Sequence, residues 1–283
     1  MNNYNDCFKY ETLLLETALA TKFEKKLFEA AVNNLLDAYN PLRFNNFAYA
    51  IRELVRHILF RLAPDAEVLN CGWYSNETEK EGGISRKQRI VFAIQGGLTD
   101  EYVSNTLQID TATISKRIIS VLVTLNKHTH IQQDTFDIDI EKQDEYVTET
   151  LESVRNFFEV VEESREVVSD SLIDQIDKEV VNAAISETII EIDEVATHHT
   201  IEEVLVEEVE VKSIDSTYIT LTVYGTISAE LQYGSDGDMD RGDGAIFSHG
   251  FQFSCVLKSS VKTPNDFLSE HTDLQVDNDD WYE

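Results

Sequence analysis

From Phe8 to Tyr39 apolar residues return every three or four positions, at Leu13, Leu14, Ala18, Phe23, Leu27, Ala30, Ala31 and Leu35. That is the spacing of one face of an α-helix, so the pattern predicts a long first helix. Asn40-Pro41 breaks it, and the same period resumes from Phe44 to Leu62 through Phe47, Ile51, Leu54, Ile58 and Leu59. Ala63-Pro64-Asp65 stops the second helix, and Ala66 to Gly83, with Asn76, Glu77 and Gly82-Gly83, reads as a loop. Arg86 to Gln95 predicts a shorter helix closed by Gly96-Gly97, while Thr99-Asp100 and Asp110-Thr111 offer capping side chains for two more. The last of these carries Ile114, Ile118, Ile119, Leu122 and Leu125 and runs out at Asn126-Lys127-His128-Thr129-His130. A bundle of about five helices follows.

Gln132 to Gln143 is an acidic connector, and Tyr146 to Val195 is helical again, without a single Gly or Pro. Beyond His198-His199 the period falls to two. Ile219, Leu221 and Val223 alternate with Thr220, Thr222 and Tyr224, and Ile227, Ala229 and Leu231 alternate with Ser228, Glu230 and Gln232. Alternation of this kind predicts an antiparallel sheet with one wet face. Val204 to Val211 and Phe247 to Leu257 add strands, and Gly225 is placed to bend one long strand into two. The predicted class is α+β: a helical bundle over residues 1–131, an acidic helical connector over 132–202, an antiparallel β domain over 203–271 and a frayed acidic tail over 272–283.

Charge sharpens this division. Residues 1–131 carry 15 Lys+Arg against 15 Asp+Glu; of the 23 and 53 in the whole chain, the remaining 8 and 38 follow residue 131, so the second half holds the entire net charge of −30. A surface of one sign reaches about 8 Å into physiological salt, so the acidic half should repel polyanions and suits a basic protein partner. The neutral half, with clustered Arg, Lys and His, suits an anionic ligand. Apolar residues at 42% exclude a disordered chain. No window approaches about 18 uninterrupted apolar residues, and the start lacks the basic and apolar regions of a signal peptide, so no membrane partner and a cytoplasmic location are expected. Cys7, Cys71 and Cys255 are odd in number and far apart, which fits buried thiols.

Four constellations could carry chemistry. Arg52 and His57 lie five positions apart on one helix, roughly 140° around its axis, so they converge only loosely within one chain; His57 beside Leu54 and Ile58 also reads as the polar edge of a core face. At the end of the last bundle helix His130 can serve as general base or acid near neutral pH, and Asn126, one turn back, can donate to a developing oxyanion. His128 and His130 could also bind a metal if a third ligand joined them, or simply complement the helix dipole. Arg86-Lys87-Gln88-Arg89 sets cations at a helix start, where they oppose the dipole, so phosphate binding or an ion pair with the acidic half must explain them. Finally, Asp236, Asp238, Asp240 and Asp243 lie in a Gly/Asp-rich segment. Arg241 and Phe247 stand where a calcium loop needs Gly and Glu, which leaves Mg²⁺ or Mn²⁺ for phosphodiester chemistry or a solvated turn.

The helical half resembles the HEPN superfamily, compact bundles that often dimerise and cut RNA without metal. The match lies in the motif of Arg, a polar residue, three variable positions and His. Arg52 to His57 has this spacing with Glu53 second; Leu125 to His130 has the favoured Asn126 second and Leu in place of Arg. More of the chain is similar to the predicted pPIWI-associating nuclease families of bacterial defence loci, through Ile51-Arg52-Glu53-Leu54, Leu62-Ala63-Pro64-Asp65, Arg86 with Arg89, Leu125-Asn126-Lys127 with Thr129-His130, the run Glu230 to Asp236, and Gly242-Asp243-Gly244. These span most of residues 45–255. The resemblances imply an antiviral nuclease of the metal-independent ribonuclease type, without a cofactor. His130 or His57 would act as base, and Arg89, Arg86 or Arg52 would stabilise the phosphorane. RNA is the preferred nucleic acid over DNA, and a homodimer or hetero-complex is the expected assembly. The alternative is a non-catalytic component of a defence system whose acidic half binds a basic protein.

Overall fold

The computed structural model describes residues 19–37, 39–133, 136, 138–186, 189–268 and 271–281. The chain forms two compact units, one reaching Gly96 and taking in Val103–Ser164, the other comprising Gly97–Tyr102 and the residues from Arg165 onward.

The first unit is helical. Helix α1, Lys22–Leu36, opens on Thr21, whose hydroxyl accepts from the Glu24 N–H at 3.1 Å while the Glu24 carboxylate accepts from the Ala20 and Thr21 N–H groups. This closes two of the helix's orphan donors reciprocally. The same carboxylate receives Arg61 Nε at 2.7 Å. The predicted residues Phe8 to Ala18 lie outside the described ones. Helix α2, Arg43–Leu62, buries Phe44, Phe47, Ile51, Leu54 and Ile58 along one face, as its period predicts. Part of the expected loop 66–83 is instead a short helix α3, Asp65–Asn70, with Pro64 at its N-cap. Helix α4 spans Arg86–Gln95, capped by Ser85 with Gln88 and stopped at Gly96, whose φ of 57° most residues avoid. A single π turn, Tyr102–Thr106, follows Thr99-Asp100, and α5 runs Thr111–Thr129 from its cap Asp110.

Helix α6 changes the reading of the middle of the chain. It runs unbroken from Ile140 to Ser186, 47 residues. Its first half sends Val147, Leu151, Val154, Phe157 and Val161 into the same core as α1, α2, α4 and α5. The helical unit therefore extends to Ser164 rather than closing at residue 131. The acidic residues that suggested a connector occupy the other positions of a core helix.

The second unit buries Val168, Leu172, Ile176 and Val180 from the later half of α6, then adds the short α7, Ile190–Asp193. Its sheet contains β1 His198–Ile214, β2 Tyr218–Tyr233, β3 Ala245–Ser260, β4 Thr263–Phe267 and β5 Asp273–Asp277, all antiparallel. The order is β1-β2-β3-β4, with β5 also against β3. Ile219, Leu221, Val223, Ile227, Ala229 and Leu231 are buried on β2, and Phe251, Phe253, Cys255 and Leu257 on β3. Gly225 does not bend β2, which stays paired on both sides through Val206 and Phe253. A Cβ there would collide with the Leu205 carbonyl and sit 2.8 Å from the Phe253 ring. Close backbone approach, not curvature, requires this glycine. The expected tail 272–283 includes β5, because Leu274 and Val276 pair with Cys255 and Phe253.

Candidate functional site

Arg52, Arg56, Leu59 and Phe60 from α2, Arg86 and Arg89 from α4, Ile84 before it and Leu122 from α5 surround a pocket of about 360 Å³, with Glu53 as its carboxylate. All lie in the helical unit. Four guanidinium groups against one carboxylate give the walls a positive field, which a concave, partly apolar lining concentrates. Arg52 from one sequence constellation and Arg86 with Arg89 from another thus meet on one cavity.

Arg89 is committed to the fold. Its side chain is 8% exposed, its Nη1 donates to the Ala63 carbonyl at 2.6 Å, its Nη2 pairs with Asp65 at 2.6 Å, and its guanidinium stacks 3.8 Å from the Phe60 ring centroid. Its carboxylate partner comes from α3 of the same unit. Arg86 is different: it is exposed, and among the described residues its side chain has no hydrogen-bond or ion-pair partner. A cation at the first position of a helix gains nothing from the dipole, so local stability does not explain Arg86.

Arg52 joins the two motif regions. Its Nη1 donates to Asn126 Oδ1 at 3.2 Å and Thr129 Oγ1 at 3.0 Å, and its Nε and Nη2 donate to Glu53 Oε1 at 3.1 and 2.7 Å. Glu53 also receives Arg56 at 3.4 Å. The hydrogen bond from Arg52 and the two nearby positive charges hold the Glu53 carboxyl below its ordinary value, against a smaller opposing effect of burial. Glu53 is therefore a poor proton acceptor and a good clamp for two arginines. Sequence reasoning missed Glu53, Arg56 and Phe60. Their signals were the i, i+3 Glu-Arg spacing and an exposed Phe on the polar face of an amphipathic helix.

The histidines divide. His57 is exposed and rests edge-on against Phe23 of α1 at 4.8 Å, outside the pocket lining. His128 is buried between Phe44 and Tyr146, with ring centroids 5.0 and 5.1 Å away. His130 is exposed at the C-cap of α5, next to the Thr129 that holds Arg52, and like His57 and Asn126 it is not among the residues lining the pocket. His128 and His130 thus face different surroundings.

Residues 16–154 match a family model described as predicted pPIWI-associating nuclease, and residues 161–282 match a second model with the same description. The chain belongs to that family. No curated protein and no solved structure matches it. The interval between the two matched stretches falls inside α6, where the structure also divides into its two units. The arginine pocket lies in the first matched stretch and the sheet in the second.

The Asp-rich segment of the second unit is folded rather than open. Asp236–Arg241 forms a short helix, α8, capped by Ser235 with Asp238. Hydrogen bonds from the Ser235 hydroxyl and N–H lower the Asp238 carboxyl, which also receives Arg241 at 2.5 Å. Arg241 in turn approaches Asp243 at 3.7 Å. Asp238 is thus engaged in capping and Asp243 in an ion pair, and among the described residues no group of three or more His, Cys, Asp or Glu is arranged to hold a metal ion. No helix among them is long and apolar enough to cross a membrane.

Proposed function

We propose that this pPIWI-associating nuclease is a cytoplasmic antiviral ribonuclease whose helical unit, HEPN-like in its use of arginine and histidine, cuts RNA with guanidinium groups where other nucleases use metal. The observation that carries the reading is the convergence of Arg52, Arg56 and Arg86 on one pocket beside the end of α5. In this reaction His130 takes the proton of a ribose 2′-hydroxyl, the freed oxygen bonds to phosphorus as the bond from phosphorus to the 5′-oxygen breaks, and that oxygen leaves with a proton from water, producing a 2′,3′-cyclic phosphate. Arg52 and Arg86 stabilise the charge that develops on the phosphorane oxygens, a role suited to preorganised donors in a concave site. Glu53 holds Arg52 and Arg56 in place.

The test is cleavage of labelled RNA in EDTA, with the product ends identified. Cyclic phosphate ends that vanish in Arg86→Ala and fall by about 10²-fold or more in His130→Ala support the reading, and His57→Ala should cleave normally. Cleavage that requires Mg²⁺ and Asp238, or that survives in His130→Ala, overturns it. A second reading, an interaction component that binds a basic protein, is favoured by β1, which carries Glu202, Glu203, Glu207, Glu208 and Glu210 on an exposed sheet edge.

A further inference from the structure

The lining of the arginine pocket separates into two chemistries. Leu59, Phe60, Ile84 and Leu122 supply an apolar wall, and Arg52, Arg56, Arg86 and Arg89 supply positive charge. Leu59 and Leu122 belong to the hydrophobic core, which accounts for them, but Phe60 and Ile84 are left partly open at the pocket, where a site for phosphate alone has no use for them. The volume of about 360 Å³ lies near the lower end of the range for small-ligand sites and has no room for a duplex. Phe60 is 45% exposed although it lies on a core helix, so its ring is not there to fill the core. Its position is explained by what it does at the pocket: it seats Arg89 and faces Arg56, whose guanidinium carbon is 5.6 Å from the ring centroid.

Resting on the nuclease reading above, we propose that the pocket takes one unpaired nucleotide, its base against Ile84, Leu59, Leu122 and Phe60 and its phosphate at Arg86 and Arg56. The pairing of an apolar or aromatic surface with guanidinium groups is the means by which single strands are held without a sequence code. A base within a duplex is stacked on both faces and cannot enter unless it is extruded, which costs a few kcal/mol. The enzyme therefore selects single-stranded or looped RNA, and the selection comes from Ile84 and its apolar neighbours rather than from the arginines. A nucleotide in a strand and a free mononucleotide share this chemistry.

The experiment uses the full chain and fluorescence anisotropy with a short single strand carrying 2′-O-methyl riboses, which the proposed chemistry cannot cut, beside a hairpin duplex of the same composition. The single strand should bind at least about tenfold more tightly than the duplex, and Ile84→Asp and Arg86→Glu should each weaken it by about tenfold or more. Arg86 is exposed, so its variant tests the site even if Ile84→Asp fails to fold. Competition distinguishes the sources: adenosine monophosphate should displace the strand only at much higher concentration. If the mononucleotide binds more tightly than the strand, the strand proposal is wrong. Displacement by inorganic phosphate as effective as by the mononucleotide defeats the base wall, as does equal affinity for duplex and single strand. Cleavage of unmodified RNA by the wild-type chain is scored separately. Cutting without single-strand preference sinks this inference alone, and single-strand binding without cutting sinks the nuclease reading alone.

Discussion

In the helical unit the Glu24 side chain is 3% exposed, capping α1 and holding Arg61 at the end of α2. On β1 of the sheet unit Glu203 and Glu208 stand in solvent, on a strand whose neighbour in the sheet, among the described residues, is β2 alone. The residue type is the same and its physical role is opposite. Glu24 and the Arg89–Asp65 pair are joints between helices, so removing one partner strands a desolvated group. The carboxylates of β1 are a coat. They keep a long edge from pairing with another chain, helped by bulges at Glu202, Glu207 and Lys212, where the register with β2 slips by one residue. Net charge thus measures the surface of one unit and says little about what holds either together.

The contrast breaks most easily at Gly225, where the sheet's weakness is steric rather than electrostatic. Gly225→Ala forces β1 away from β2 at Leu205 and should cost about 3 kcal/mol, read by calorimetry as a lowered sheet transition beside an unmoved helical one. A single transition that shifts as a whole would show that the units unfold together. Glu24→Gln should cost the helical unit about 2 kcal/mol, a figure reduced from that of a fully buried pair because the Arg61 side chain is 32% exposed. Burial works against ionisation of Glu24, and Arg61 with the Thr21 and Ala20 N–H groups outweighs it, so the carboxyl lies below 4.5. Its contribution is complete above the unfolded value and is lost as pH falls through the lower, folded value. Acid should therefore erode the wild-type transition more steeply than that of Glu24→Gln.

Local chemistry was legible in the sequence and tertiary use was not. The bounds of α4 agree with expectation because Ser85 and Gly96 fix them within one turn. Helix α6 read as a connector because its apolar stripe is interleaved with acids, and no spacing states that one helix serves two units. Strand β1 was foreseen only from Val204 to Val211, since each bulged charged residue resets the period of two. Arg52 and the Arg86–Arg89 cluster were named as separate constellations, and their shared cavity depends on how α2 and α4 pack. The angle between Arg52 and His57 follows from spacing alone; His57 rests against Phe23 and is not among the residues lining the pocket.

Smaller effects sharpen the same contrast. Glu53→Gln removes the one carboxylate that lines the pocket among the described residues and should tighten binding of the uncleavable single strand by about threefold, less than a buried joint is worth because the side chains of Glu53 and Arg52 are 22% and 21% exposed. Weaker binding would mean that holding Arg52 in place matters more than the charge removed.

The smallest effect is expected on β1. Glu203 is exposed and makes no ion pair among the described residues, and an exposed charge is screened within about 8 Å at physiological salt. Glu203→Gln should leave the urea midpoint of the sheet transition unchanged there, and should raise it only when the salt is diluted and the screening length grows. The outcome to watch is a rise at physiological salt as large as the loss in Glu24→Gln. That would mean repulsion among the carboxylates of β1 acts on the folded sheet itself. The acidic coat would then be a cost that the sheet must offset, and the division between structural and surface charge would fail at the place where it looks simplest.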